Sequence, residues 1–289
     1  MRTAVLTLLA LVAFAANSLL CRMALGQGLI DAASFATVRV ASGALTLLVL
    51  ASVRRGPSFP RLRPAMVLAL FAYMAGFSFA YLSLDTGTGA LILFAVVQLT
   101  MFAVALRTGE SFSRRAWVGF ALAVAGLLWQ VSPGVTAPDP KGAVLMTVAG
   151  IGWASYTLLG RGSQRPLATT AINFVGVLPL VLVISFLMRD QWLFTSNGLL
   201  IAALSGALTS GVGYAIWYAV LPALSATRAA TVQLAVPALA ALAGVWMLSE
   251  PLSGRLIGAS LLTLGGIAVV VLERAGAAAA RNSRAGAGS

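Results

Sequence analysis

The sequence contains no histidine and a single cysteine, Cys21, and only 9% of its 289 residues are charged. One cysteine cannot form an internal disulfide, and the usual metal-ligand sets need histidine or several cysteines. We therefore expect no metal ion and no other cofactor. The charged fraction is also far below the roughly 25% that is typical of soluble domains, which argues against a soluble globular protein.

Apolar residues make up 60% of the chain, and the mean hydropathy is +0.97. A helix needs roughly 20 apolar residues to cross a bilayer core of about 30 Å, because lipid offers no partner to unpaired backbone groups. Runs of that kind fill nearly the whole chain, so the sequence predicts an all-α polytopic membrane protein. The net charge of +12 comes from arginines in short segments between these runs, which indicates orientation in the bilayer and no binding of nucleic acid.

One stretch of the sequence occurs twice. Residues 86–130 align without a gap with residues 226–270 after a shift of 140 positions, which pairs Glu110 with Glu250. An internal repeat of this length indicates that two homologous halves make one protein.

Ten apolar runs are long enough to span a membrane, five in each half. They are residues 4–20, 32–53, 64–84, 88–106 and 113–131, and then 141–159, 169–188, 198–220, 226–248 and 253–272. Because five is odd, the second half enters the membrane from the opposite side, so the repeat predicts an inverted topology. The link at residues 85–89 is the shortest, so the third and fourth runs are expected to form a close hairpin.

The predicted organisation is a first five-helix repeat at residues 1–136, a second at residues 137–272 and a disordered cytoplasmic tail at residues 273–289, which has little bulky apolar surface to pack. With both termini in the cytoplasm, fourteen basic residues face the inside and four face the outside, which agrees with the usual excess of Lys and Arg in cytoplasmic loops. No small-x-small cleavage site follows the apolar run after Arg2, so we expect a retained first helix.

Polar side chains inside apolar runs indicate a site, since they are costly in lipid and usually face a cavity or the bundle interior. The first run carries Asn17, and the fourth and ninth runs carry one glutamine each, Gln98 and Gln233. In the repeat Gln98 aligns with Ala238, and Gln233 aligns with Leu93. The two halves differ at these positions, which suggests an asymmetric pocket.

Aromatic side chains are the second group of candidates. Tyr73, Phe77 and Tyr81 recur at i, i+4 and i+8, so the rings share one face of the third run, either as ordinary packing or as a cavity wall. Trp153 falls near mid-membrane, which is too deep for an interfacial tryptophan. The aromatic residues that we predict to contact a substrate are Phe77, Tyr81, Trp153, Tyr156, Tyr214 and Trp217.

Two further residues interrupt the apolar pattern. Arg39 lies about seven residues, or roughly 10 Å, into the second run. An arginine at that depth needs a partner, and the alternatives are a structural role, by snorkelling or capping a neighbouring helix, and binding of a substrate carboxylate. Pro237 frees a backbone carbonyl in the ninth run and predicts a kink that acts as a hinge.

The acidic residues lie at the ends of runs or in loops, and with no histidine present a proton relay has no evident carrier. Asp85, at the outer end of the third run, is the one residue that we would test for such a role. The sequence also contains no nucleotide-binding loop and no nucleophile–base pair, so neither ATP-driven transport nor an enzyme is expected.

Three features of the chain are informative together: the ten runs in two inverted halves, the spacing of Phe35 and Arg39, and the G-E-x-x-S and S-E-x-x-S turns at residues 109–113 and 249–253. On these features the chain resembles the drug/metabolite transporter superfamily and, within it, the EamA-type exporters. The likeness covers residues 1–272. Pro237 also matches the proline that is usual in the ninth helix of this family.

The resemblance implies a bacterial inner-membrane protein with a central cavity, lined mainly by runs one, three, four, six, eight and nine and opened alternately to either side. We expect a monomer that exports aromatic and large apolar amino acids as an uncoupled facilitator, with Asn17, Gln98 and Gln233 binding the ammonium and carboxylate groups. The alternative is an exporter of drugs or other amphipathic metabolites, with or without proton coupling. Glu110 and Glu250 are expected to bind turn amides at the start of the next helix.

Overall fold

The computed structural model describes residues 2–55, 60–161, 163–224 and 226–286, and within these ranges the chain is helical, with one isolated bridge between Ile30 and Phe194 in place of any strand. The α-helices are α1 (Arg2–Gly26), α2 (Ala32–Arg55), α3 (Pro64–Ala80), α4 (Thr86–Arg107), α5 (Arg114–Val131), α6 (Pro140–Leu159), α7 (Pro166–Leu187), α8 (Ser196–Leu204), α9 (Gly213–Val220), α10 (Ala226–Gln233), α11 (Ala235–Leu248) and α12 (Gly254–Gly286). A π-helix, Ser205–Val212, joins α8 to α9, and short 3₁₀ turns occupy Arg189–Gln191 and Leu221–Ala223.

Helix occupies each of the ten apolar runs. In the described part of the chain eight helical stretches are long and apolar enough to cross a membrane, whereas α3, with 17 residues, is shorter and α5 is not among them. The chain is therefore an all-helical, multi-pass membrane protein. The count of ten crossings and the position of both termini in the cytoplasm stay predictions.

The ninth run is broken between α10 and α11 at Leu234. Pro237 lies three residues further on, where it cannot donate a hydrogen bond to the carbonyl of Gln233 and its ring crowds that carbonyl. The amide of Leu234 instead bonds the carbonyl of Thr231, at 3.1 Å. The helix is therefore interrupted close to Pro237, where the sequence predicts a kink, and the use of Pro237 as a hinge stays a prediction.

Among the pairs in which the helices pack are α2 against α7, α5 against α12, α4 against α11, α3 against α6, and α1 against the segment from α8 to α9. Each run of the first half has a counterpart five runs later in the second half. When every run is replaced by its counterpart in the other half, the same set of pairs is obtained. The central part of the apolar core, which contains Phe35, Phe77 and Phe174, lies where these pairs meet.

The third and fourth runs do not form the hairpin expected from their short link, because α6 lies between α3 and α4. Glycines on α6 allow the close approach on both sides. A Cβ on Gly152 would lie 2.8 Å from the carbonyl oxygen of Ala69 in α3, and one on Gly150 would lie 2.7 Å from the Cβ of Val96 in α4. The prediction that α3 contacts α4 rested only on the short link between them. In the structure α3 and α4 each pack closely against α6 instead.

The last helix, α12, continues to Gly286 and so runs through most of the tail for which the composition predicts disorder. This stretch contains many alanines, and alanine has the highest intrinsic helix propensity. A low content of bulky apolar residues therefore does not prevent this stretch from being helical.

Candidate substrate cavity

A cavity lies within the bundle, with about 500 Å³ of empty space, part of which is continuous with the outside. It is bounded by α1, α3, α4, α6, α10 and the segment from the π-helix to α9, which are the six runs that the resemblance implies. Its lining consists of Phe14, Asn17, Ser18, Tyr73, Phe77, Leu93, Phe94, Trp153, Thr209, Tyr214, Trp217 and Gln233.

The aromatic wall of the cavity is built around Trp153. Its ring centroid lies 4.9 Å from that of Tyr73, 5.4 Å from that of Tyr214 and 5.7 Å from that of Tyr156. Phe14 extends the wall, since its ring lies 6.0 Å from Tyr214 and 5.7 Å from Trp217. These separations are typical of favourable aromatic pairs, so the wall is a continuous surface that suits a flat or bulky apolar group.

The polar side of the cavity is organised by Asn17. Its amide nitrogen donates to the hydroxyl of Tyr73 at 3.3 Å, and its amide oxygen accepts from the hydroxyls of Ser205 and Thr209 at 3.0 and 3.1 Å. Both hydroxyls belong to the π-helix, a helix type that is frequent at functional sites. Asn17 lines the cavity as predicted and also fastens α1 to α3 and to the π-helix, which leaves one amide hydrogen for a ligand.

Gln233, at the end of α10, also lines the cavity, and its amide nitrogen donates to the carbonyl of Ala229 at 3.3 Å. Leu93, which is its counterpart in the repeat, lines the cavity from α4. The two copies of the repeat therefore place different chemistry at equivalent positions: an amide in one half and an aliphatic side chain in the other.

Gln98 is not part of this cavity, contrary to the sequence prediction. It lines a separate hollow together with Phe102, Phe120 and Val271, between α4, α5 and α12. Five residues along a helix correspond to a rotation of about 140°, so Gln98 cannot share the face of α4 on which Leu93 meets the cavity.

Two predicted aromatic residues lie behind the cavity wall. The hydroxyl of Tyr81, at the end of α3, donates to the carbonyl of Thr86 at 3.3 Å. Tyr156 stacks on Trp153, but its hydroxyl donates to Thr170 on α7, at 3.2 Å. The other predicted residues, Phe77, Tyr214 and Trp217, line the cavity together with Asn17, Trp153 and Gln233.

Six lining residues were not among the predicted contacts: Phe14, Ser18, Tyr73, Leu93, Phe94 and Thr209. Helical spacing offers a signal for three of them. Phe14 lies three residues before Asn17 and Ser18 directly follows it, and Tyr73 lies one turn before Phe77. Leu93 is indicated only indirectly, as the repeat counterpart of Gln233, and nothing in the sequence pattern distinguishes Phe94 from ordinary lipid-facing residues.

Beyond the cavity lies a cluster of charged residues that we call the ion-pair cluster: Arg22, Asp85 and Glu250. Arg22 lies one helical turn beyond the cavity residue Ser18. Its Nε lies 3.2 Å from Glu250 Oε1, and its Nη2 lies 3.4 Å from Asp85 Oδ1. The cluster joins α1 to the α3–α4 link and to the α11–α12 link.

Glu250 also accepts a hydrogen bond from the amide of Thr86 at 2.9 Å. Its partner is therefore the first turn of α4 and not, as the sequence predicts, the start of the next helix. Burial raises the pKa of the Glu250 carboxyl, and the hydrogen bond from Thr86 and the charge of Arg22 only partly oppose this rise. Glu250 thus reaches across the fold to cap a distant helix.

The EamA-like transporter family matches residues 140–272 of the chain. An uncharacterized protein of Pseudomonas aeruginosa is 50% identical over 279 residues, which are 96% of this chain and 97% of that protein. The chain belongs to the EamA-like transporter family, whose members are membrane transporters and not enzymes.

A protein of Salmonella typhimurium that is named as a probable amino-acid metabolite efflux pump is 25% identical over 203 residues, which are 65% of this chain and 68% of that one. A solved crystal structure matches 94% of this chain and 98% of its own length, with a TM-score of 0.66 and 19% sequence identity. This second likeness concerns the fold alone.

Proposed function

We propose that this transporter exports amino acids, chiefly aromatic and large apolar ones, from the cytoplasm of a bacterium. It acts as a monomer in the inner membrane, with both termini in the cytoplasm, and moves its substrate by alternating access without coupling to protons. The observation that carries this proposal is the cavity, in which an aromatic wall around Trp153 shares one lining with the amides of Asn17 and Gln233.

The lining suits both parts of such a substrate. The rings of Trp153, Tyr214 and Trp217 offer an apolar surface to a side chain, with specificity left to a few polar groups, as is usual in small-molecule sites. The amides of Asn17 and Gln233 hydrogen-bond the ammonium and carboxylate ends. A zwitterion carries no net charge, so amides and water can solvate it without a full counter-charge. The name of the Salmonella relative points to the same class of substrate.

Alternating access is supported by the packing of the helices. The pairs of packed helices are unchanged when the halves are exchanged, which is what an inverted repeat requires. A cavity between two such halves opens to either side when one half rocks against the other. The ion-pair cluster around Arg22 joins α1, in the first half, to the α11–α12 link, in the second half, one helical turn beyond the cavity.

Uncoupled transport is supported by the absence of acidic residues from the cavity lining of the described chain. The sequence offers one acidic residue, Asp85, as a proton carrier. Asp85 belongs to the ion-pair cluster, outside the cavity lining, and pairs with Arg22. Export then follows the concentration gradient of the substrate.

A second candidate function is export of drugs or other amphipathic metabolites, since apolar and aromatic side chains such as Phe14, Leu93 and Phe94 make up most of the lining. A permissive apolar cavity would bind a lipophilic cation as well as an amino acid. The two functions differ in their need for the amide groups.

The test is uptake of labelled amino acids and of a lipophilic cation by the purified full chain in liposomes, with and without a pH gradient. We expect saturable uptake of phenylalanine and leucine that is the same in both conditions and about tenfold slower in Trp153→Ala. Trp246→Ala is the matched control, because the Trp246 side chain is 86% exposed on α11.

Uptake of the cation alone would favour the second function. Uptake of amino acids that depends on the pH gradient, with equal substrate on both sides, would overturn the uncoupled mechanism. Equal uptake by Trp153→Ala and the wild type would remove the cavity from the transport path.

A further inference from the structure

Arg39 is a fully buried cation directly behind the cavity wall. Its exposed fraction is 0%. The guanidinium carbon lies 4.7 Å from the ring centroid of Phe77 and 5.5 Å from that of Tyr73, and both rings line the cavity. One nitrogen, Nη2, donates to the hydroxyl of Tyr73 at 3.1 Å.

The fold does not neutralise this charge. Among the described residues the other two guanidinium nitrogens, Nε and Nη1, have no hydrogen-bond partner, and no carboxylate lies within ion-pair distance of Arg39. Two aromatic faces and one hydroxyl compensate a buried cation only in part, because removal of an ion from water costs several kcal/mol. A buried arginine of this kind in a membrane protein marks a pathway for a substrate or ion.

Tyr73 connects Arg39 to the cavity. Its hydroxyl oxygen accepts hydrogen bonds from Arg39 and, at 3.3 Å, from Asn17, and these two bonds use both of its acceptor sites. The hydroxyl proton of Tyr73, which lines the cavity, therefore remains to be donated to a ligand there. Donation from a hydroxyl that is itself bonded to a cation is strengthened, because bonds in such a chain polarise one another.

We propose that Arg39 is a positioning residue that makes the cavity select ligands with a carboxylate. Its charge draws the carboxylate to the end of the cavity formed by Tyr73 and Asn17, and the hydroxyl of Tyr73 donates the contacting hydrogen bond. The ligand then supplies the counter-charge that the fold lacks. This inference rests on the proposed function. It adds that the protein recognises the carboxylate end of the substrate and that the hydroxyl of Tyr73 binds it.

A purely structural role for Arg39 makes a different prediction. A side chain that held α2 to α3 would be needed for stability, and its replacement would lower the melting temperature. An unpaired buried charge destabilises the folded state. Replacing buried charges by apolar residues of similar volume is often neutral or stabilising. We therefore expect Arg39→Met to melt at the same temperature as the wild type or a higher one.

The experiment is a comparison of two ligands, L-phenylalanine and L-phenylalaninamide, which share the ring and the ammonium group and differ in the carboxylate. Binding of each to the purified full chain is measured by calorimetry. For the wild type we expect a preference for the carboxylate ligand of about tenfold or more, as for a charge-assisted hydrogen bond. Arg39→Met and Tyr73→Phe are expected to bind both ligands about equally, whereas Arg39→Lys retains part of the preference.

The matched control for loss of the Tyr73 hydroxyl is Ser78→Ala. Ser78 is a fully buried residue of the same helix whose hydroxyl bonds the carbonyl of Met74, at 2.9 Å, outside the cavity lining. This variant is expected to keep the wild-type preference. If Arg39→Met does not fold, Tyr73→Phe decides the question, because it keeps the ring and removes only the hydroxyl.

A wild-type protein without preference for the carboxylate, or a preference that survives in Arg39→Met or, where that variant does not fold, in Tyr73→Phe, overturns the role of Arg39. The liposome experiment is independent of this ratio. Uptake of phenylalanine without a carboxylate preference in binding contradicts the role of Arg39 alone, whereas a preference without uptake supports that role and contradicts the proposed export.

Discussion

Arg22 on α1 and Glu250 in the link after α11 form an ion pair with 3.2 Å between Nε and Oε1, although 228 residues separate them in the sequence. Both side chains are largely buried, with exposed fractions of 20% and 10%. The pair connects the first half of the chain to the second, one turn of α1 beyond the cavity residue Ser18. Under alternating access, opening of the cavity on this side requires the pair to separate.

We expect Glu250→Ala to lower the stability of the protein by about 1–3 kcal/mol, because it leaves the amide of Thr86 without its hydrogen bond. Glu250→Gln is expected to cost less, since the glutamine oxygen still accepts from that amide and burial already disfavours the charged form. Thermal unfolding in detergent measures both variants. A larger loss in Glu250→Gln than in Glu250→Ala would show that the charge matters more than the hydrogen bond.

Arg115→Gln is the control for these variants, because it removes an exposed ion pair that contributes little to stability. Arg115 lies 3.7 Å from Glu273, but its side chain is 85% exposed. Exposed ion pairs contribute about 0–1 kcal/mol, so this variant is expected to melt close to the wild-type temperature.

The raised pKa of Glu250 predicts a dependence of stability on pH. The usual value is 4.5, and in the folded protein burial raises the pKa above it. The protonated form then stabilises the fold, fully below the usual value and less as the pH rises through the raised one. Relative to Glu250→Gln, the wild type should gain stability as the pH falls from neutral to below that usual value. A stability difference that is independent of pH in this range would contradict the buried position of the carboxyl.

The two glutamines of the apolar runs are expected to behave differently. Gln233→Leu, which copies its repeat counterpart Leu93, should reduce amino-acid uptake by about tenfold, because the substrate loses a hydrogen bond to a partly buried amide. Gln98→Leu should leave uptake unchanged, because Gln98 lines the other hollow. Liposome uptake of phenylalanine measures both. Equal loss in the two variants would place Gln98 on the transport path.

Pro237→Ala is expected to join α10 and α11 into one helix by restoring the hydrogen bond to the carbonyl of Gln233. If the break is a hinge, the uptake rate falls several-fold while the affinity for phenylalanine is unchanged. Pro179→Ala is the control, since Pro179 also lies inside a helix, α7, and outside the cavity lining. A similar fall in rate for both variants would mean that helix-internal prolines matter generally and that the break at Leu234 has no special role.

The elements of the fold were largely predictable because they depend on local properties. Apolar runs of sufficient length form helices in a membrane whatever lies beside them, and the kink before Pro237 follows from the geometry of one residue. The packing of the helices was less predictable. The short link between α3 and α4 suggested a hairpin, but Gly150 and Gly152 let α6 approach both helices and separate them.

The candidate site was predictable where one strong signal was present. Trp153 and Asn17 are out of place in apolar helices, and both line the cavity. Gln98 carries the same signal but lies on another face of its helix, and only the rotation of α4 in the bundle distinguishes it from Gln233. Leu93 is indicated only indirectly, as the repeat counterpart of Gln233, and Phe94 carries no signal at all, since apolar residues of a membrane helix look alike whether they face lipid or a cavity.

The sequence by itself determined that the chain is an all-helical membrane protein with a repeated half, because run length, composition and repeat are properties of the chain alone. The tertiary structure decided which side chains share a cavity, and it paired Arg22 with Glu250. Among the residues that the structure describes, it also left Arg39, beside Tyr73, without a counter-ion. These relationships depend on how each helix is rotated and on which distant segments meet, and a linear pattern contains neither.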